Sequence, residues 1–139
     1  MYHHILLAAD GSEHSLRATE EAIKIASLVN DCKVEVVFVV DFSQSKKDVI
    51  HSQGIEALEI SRRKKLLPIV EKLKENKISY EIKLLHGEPG PTIVEHANQS
   101  KFDLVVIGSR GLNALQEMVL GSVSHKVAKR VHCPVMIVK

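Results

Sequence analysis

The chain has few of the features that would assign it at once. It carries only two cysteines, Cys32 and Cys133, and no CxxC or zinc-type spacing joins them. Two separated thiols in a reducing compartment are expected to be free and not bridged. The net charge is +2 with histidines neutral, too small to argue for nucleic acid on charge alone. No apolar run is long enough to span a bilayer, so no membrane partner is expected. The first residues, MYHHILLAAD, lack the basic lead of a signal peptide, and Asp10 follows the apolar run at once. They read as a first strand, which points to a cytoplasmic protein. Internal repeats and low-complexity segments are missing too. The eight histidines include the adjacent pair His3-His4, and His96 follows Glu95, but no HExxH or comparable ligand spacing occurs. GxxxxGK[ST] and GxGxxG are also absent.

What remains is an ordinary globular composition, 45% apolar and 26% charged, in 139 residues, enough for one domain with its own core. Short apolar runs alternate with amphipathic stretches. Ile5–Ala9 is apolar throughout, as in a strand buried on both faces. Asp10-Gly11-Ser12 ends it with helix-start chemistry, and Leu16, Ala22, Ile23, Ala26 and Val29 follow helical spacing. Val34–Val40 reads as a second strand, with one charge, Glu35, near its start. Asp41–Gly54 reads as a polar loop, with Ser43–Gln53 expected to be poorly ordered without ligand. Ile55–Asn76 is helical in pattern, with Leu58, Leu66, Leu67, Val70 and Leu73 as its buried face, and Pro68 is expected to kink it or split it in two.

Tyr80, Ile82 and Leu84 alternate with polar residues, as in a half-buried edge strand. Pro91 fits the first turn of a short helix with Ile93, Val94 and Ala97 inward. Leu104–Ile107 is a buried strand, Ser122–Arg130 a last helix, and Val135–Val138 a final strand. Strand and helix in alternation predict an α/β fold: one domain over residues 1–139, with an open parallel five-stranded sheet, right-handed crossovers and helices on both faces, Rossmann-like.

The functional signal lies near the C-terminus, in VVIGSRGLNALQEMVLGSVSHKV. A strand ending at Ile107 feeds Gly108. Gly111, Gly121 and Ser122 complete a spacing of glycine, two residues, glycine, nine residues, glycine and a hydroxyl. Glycines let backbone come close to a ligand, and a helix opening at Ser122 presents unpaired N–H groups, as a phosphate requires. In open parallel sheets ligands lie beyond the C-terminal strand ends, where the strand order reverses. The ends Ala8-Ala9-Asp10, Val39-Val40-Asp41 and Ile107-Gly108-Ser109-Arg110-Gly111 would offer an apolar slot, a carboxylate, a guanidinium and N–H donors.

On these residues, with ILLAADGSEHS, HGEPGPTIVEHA, FDLVVIGSRG and LGSVSHKVAKRVHCPVMIVK, the chain resembles the universal stress protein family over essentially its whole length. The resemblance implies strand order 3-2-1-4-5 and ATP as ligand, with ADP or AMP as other candidates. Asp10 matches the family acid near ribose and phosphates, which can help hold Mg²⁺ or Mn²⁺. Ala8 and Ala9 stand where some members have Pro and Thr, leaving backbone contacts. Val39 matches the residue whose backbone meets the adenine edge. Gly108, Arg110 and Gly111, with Ile107 before them, match the ribose and phosphate turn. Gly121, Ser122, Val123 and Ser124 match the phosphate-binding helix start. The family also pairs its last strand into a homodimer, here through Val135–Val138.

The plainer alternatives are that the glycines only end a strand and a helix, and that Asp10 or Ser12 only caps the first helix. Three functional classes stay open: a nucleotide-binding stress or signalling module with slow hydrolysis, an ATPase or nucleotidyl transferase of the same α/β group, and a ligand-free dimerisation module. No catalytic residue is assigned.

Overall fold

The computed structural model describes residues 2–40, 55–110 and 121–139. The Asp41–Gly54 loop, Leu58's side chain and Gly111 lie outside the described residues. Among the described residues the elements follow in chain order: β1 His4–Ala9, α1 Glu13–Ser27, β2 Lys33–Val40, α2 Ile55–Glu75, β3 Ser79–His86, α3 Pro89–Gln99, β4 Leu104–Gly108, α4 Ser122–Arg130 and β5 Val135–Val138. The strands form one parallel sheet in the order β3-β2-β1-β4-β5. The α/β class, the parallel sheet and the strand order are as expected.

Alternation along β1 sorts the core into two layers. Ile5, Leu7 and Ala9 face α1 and α2, with Ala22, Leu66, Ile69 and Leu73 over them. Leu6 and Ala8 face α3 and α4, with Ile93, Ala97 and Val127. Burying both faces of the central strands explains why β1, β2 and β4 read as apolar runs and not as alternating ones.

Local chemistry sets the ends. Ser12 caps α1, its Oγ accepting from Ser15 N–H at 3.1 Å. α1 stops two residues before Val29, and Asp31 takes φ 59 in the turn that follows. Pro89 stands at the first position of α3, where its missing N–H costs nothing. The helix therefore begins ahead of Pro91, which lies within its first turn.

Three expectations need correction. Pro68 does not split the second helix, for α2 runs unbroken from Ile55 to Glu75. Pro68 is exposed, as is Lys64 four residues before it, so the carbonyl that loses its donor lies on the side open to water. Leu67 is not in the buried face: it is 53% exposed, while Ile69 is buried with Leu66 and Leu73 at helical spacing. β3 is the sheet edge, as expected, but Ile82 and Leu84 are more open than half-buried.

Glu35 is buried at the start of β2, where His96 Nε2 of α3 meets its Oε2 at 2.8 Å. His96 also tilts against Phe102, and Phe102 stacks on His4. The charge inside an apolar strand thus has a partner and ties α3 to the sheet.

Candidate functional site

β1 passes to β2 on one side and neighbours β4 on the other, so the reversal of strand order falls between β1 and β4. Leu7 is level with Val106, and two residues further on Ala9 comes level with Gly108. On the other side Ala9 pairs with Phe38, which sets Asp10 level with Val39. The strand ends that carry the candidate residues are therefore adjacent. Ala8, Ala9 and Ile107 are buried, while Asp10, Val39 and Arg110 are partly open.

Asp10 lies where β1 gives way to α1. Its Oδ1 accepts from Ser12 N–H at 2.9 Å, closing a turn over Gly11, whose φ is 85. Ser12 performs the helix cap, as the sequence allowed, and Asp10 orders the loop in front of it.

α4 is seated on the end of β4. Gly121 N–H donates to Ser109 O at 2.9 Å, and the Ser124 hydroxyl shares its proton between Ser109 O at 2.7 Å and Gly121 O at 3.0 Å. Ser124 is buried, so its hydroxyl locks the helix to the strand, and its backbone N–H is what it can offer a ligand. Gly121 occupies the cap position with φ −63 and ψ 158, and among the described residues no side chain caps the helix. His125 N–H donates to Gly121 O as the first helical bond, so the N–H groups of Ser122, Val123 and Ser124 form the opening turn. A helix start of this kind, led by a residue without a side chain, is open to an anion. Ser122 is exposed, and Val123 packs partly into the core.

The glycines differ in what they do. A Cβ on Gly108 would come within 2.7 Å of His14 Cβ and 2.8–2.9 Å of its backbone carbonyl. Gly108 thus lets α1 lie against β4, a packing role. A Cβ on Gly121 would meet Arg110 Cα at 3.4 Å and Ser109 O at 3.5 Å, ordinary contacts. Packing against the described residues does not demand glycine there.

Two residues of this region carried no sequence signal. Ser109 joins three elements: its carbonyl takes both α4 bonds, and its N–H donates to Val138 O of β5 at 2.7 Å. His14, in the first turn of α1, reaches the same crevice because α1 packs on Gly108. Burial, with Arg17 and Arg110 close by, holds its imidazole below the usual histidine range against the pull of Asp10 and Glu13. Neither belongs to a spacing motif; only the docking of α1 and α4 on β4 reveals them.

Among the described residues no group of three or more His, Cys, Asp or Glu could hold a metal ion. Cys32 and Cys133 are free, and burial pushes both thiols up, away from the reactive thiolate. His86, His125 and His132 are exposed, as expected of surface or rim residues. No helix among the described residues is long and apolar enough to cross a membrane.

A parallel sheet in the order 3-2-1-4-5, with helices on both faces, defines an open, doubly wound, Rossmann-like α/β protein. The sequence profile of the Universal stress protein family matches residues 1–139, and the chain belongs to that family. It is 35% identical over 150 residues to Universal stress protein MJ0531 of Methanocaldococcus jannaschii, covering all of this chain and 83% of the relative. The solved structure of MJ0577 superposes with a TM-score of 0.85 at 27% identity, covering all of this chain and 96% of that one. A crystal structure of a universal stress protein in complex with cAMP superposes at 0.71 with 28% identity, covering 99% and 97%.

Proposed function

We propose that this chain binds an adenine nucleotide at the β1–β4 switch point and acts as a stress-response or signalling module, ATP being the expected ligand and ADP or AMP the other candidates. The observation that carries this reading is the opening turn of α4, led by Gly121, uncapped by any side chain among the described residues and anchored to the end of β4 through Ser109. The 28% identical family member in complex with cAMP supports an adenine nucleotide as the kind of ligand. In this reading the phosphates lie on the N–H groups of Ser122, Val123 and Ser124, reached across Gly121. Gly108, Arg110 and Gly111 form the ribose and phosphate turn. Ala8, Ala9 and Ile107 line the floor by backbone and apolar contact, and Val39 presents backbone to the base.

Asp10 is the acid of this site. One carboxylate fits Mg²⁺ or Mn²⁺ only as a helper, so most of the ion's ligands would be phosphate oxygens and water. A divalent ion there would neutralise phosphate charge. Among the described residues no base is assigned beside the phosphates, so turnover is expected to be slow and the site regulatory. β5 pairs with a second copy to make the homodimer, and the protein works in the cytoplasm without nucleic acid or membrane.

Mass analysis of the ligand released from freshly purified protein, followed by calorimetric titration with ATP, ADP, AMP and cAMP, tests the reading. A bound adenine nucleotide displaced by ATP is expected. A chain that releases no ligand and takes up none of the four refutes it, and multiple turnover at enzymatic rates would move the assignment to an ATPase.

A further inference from the structure

β3 is eight residues long and stands at the edge of the sheet, with β2 as its one neighbour among the described residues. Ile82 is 40% exposed and Leu84 45% exposed, on the face where Tyr80 packs against the core. The direction of its backbone can be read from one bond. Gly87 N–H donates to Val40 O at 3.0 Å, and alternate residues of a parallel strand point the same way. Glu81, Lys83 and Leu85 therefore spend their backbone groups on β2. Tyr80, Ile82 and Leu84 turn theirs outward, so the apolar side chains and the outward hydrogen-bonding groups belong to the same residues.

This edge is complementary to itself. Laid antiparallel on a second β3 about a twofold axis through Ile82, it sets Ile82 opposite Ile82, Tyr80 opposite Leu84 and Glu81 opposite Lys83. The three outward-facing residues then form the hydrogen-bonded pairs, exchanging N–H and C=O. Glu81 and Lys83 fall at the non-bonded pairs, where side chains come closest and opposite charges stabilise. The apolar residues continue the α1–α2 layer from one copy to the next, and the charges meet on the other face. Lys33 holds Glu81 at 2.9 Å within the chain, so Glu81 would lie between two ammonium groups, within reach of both. A shift of register by one residue would turn inward-pointing backbone to the partner and lose the ladder.

We propose that β3 is a homotypic interface at which a second copy of this chain adds its β3 antiparallel, centred on Ile82. The interface is isologous and lies at the sheet edge opposite β5. It is independent of nucleotide binding and of any pairing at β5. A single strand pair buries little surface compared with a standard interface, so the contact is concentration-dependent.

Two measurements on the full chain test it. In a Cys133→Ser background, Ile82→Cys is expected to form an intermolecular disulfide under mild oxidation, because facing residues of a hydrogen-bonded pair sit about 5.5 Å apart at Cα, within disulfide range. Tyr80→Cys, which faces Leu84 and not its own copy, is expected to stay uncrosslinked. In sedimentation velocity at high micromolar concentration, Lys83→Glu is expected to lower the assembly mass to what pairing at β5 alone supports, by setting Glu81 against Glu. Glu81→Lys combined with Lys83→Glu is expected to restore it, each variant being confirmed folded by circular dichroism. Equal crosslinking of the two cysteine variants, or a mass unmoved by Lys83→Glu, overturns the proposal. A mass that Lys83→Glu lowers and the double exchange does not restore overturns it as well, because a different partner strand then occupies the edge.

Discussion

Gly108 and Gly121 share one spacing pattern, yet a side chain at each would meet different surroundings. At Gly121 the neighbours lie at 3.4–3.7 Å and φ is −63, which any residue adopts. Gly121→Val is therefore expected to fold, while its side chain fills the approach to the N–H groups of Ser122–Ser124. A hydrogen bond to a charged group contributes about 1.5–3 kcal/mol, and several would be lost together. ATP affinity should fall by about two orders of magnitude or more. Titration calorimetry beside circular dichroism checks both halves; unchanged affinity in a folded variant would remove the glycine pattern from the phosphate site. Gly108→Ala should behave oppositely. Its Cβ would collide with the backbone of His14, so α1 must shift, at a cost of about 1–3 kcal/mol. A lowered urea midpoint is the expected result, and parent-like stability would show that α1 yields freely.

At the level of elements, Glu35 explains why one charge is tolerated in a buried strand. His96 leaves α3 at the height of β2 where that carboxylate needs a partner. His96→Ala would leave it buried and unpaired, which costs about 3–5 kcal/mol. Adding Glu35→Val should recover much of that loss, since the site then holds only apolar groups. Urea unfolding of the parent, single and double variants measures the coupling, and additive losses would mean that the pair does not act as one unit. The unbroken α2 makes a related point. Pro68 removes one N–H and crowds the Lys64 carbonyl, but both residues are exposed, so water can satisfy the freed carbonyl while the helix continues. The sequence shows the proline and not the direction it faces.

For the whole molecule, the two edges of the sheet are the surfaces open to further strand pairing. β5 carries Val135–Val138, each side chain only partly buried. Ser109 N–H and Val105 N–H reach the carbonyls of Val138 and Pro134, so Val135 and Ile137 turn their backbone groups away from β4. Pairing with a second copy would satisfy that edge. The expected mass by light scattering at micromolar concentration is at least a dimer. Ile137→Pro, which removes an outward donor and spares the β4 ladder, should shift it toward monomer. A parent chain that is monomeric at that concentration would exclude the β5 interface.

Element order, the parallel sheet and the location of the α4 start were legible in the sequence because they rest on local properties: apolar runs, turn residues and a glycine spacing that each act within a few positions. The strand order 3-2-1-4-5 came from family resemblance, since alternation alone does not say which strand neighbours which. Tertiary structure alone decided what depends on facing neighbours. It made Gly108 a packing glycine, turned the Ser124 hydroxyl to the end of β4, gave Glu35 its histidine, and brought Ser109 and His14 to the site without any motif. It also left Ile82 and Leu84 open at an edge that their alternation had marked as half-buried. Periodicity states which face of an element a residue occupies; whether anything covers that face is set by the packing of elements distant in the chain.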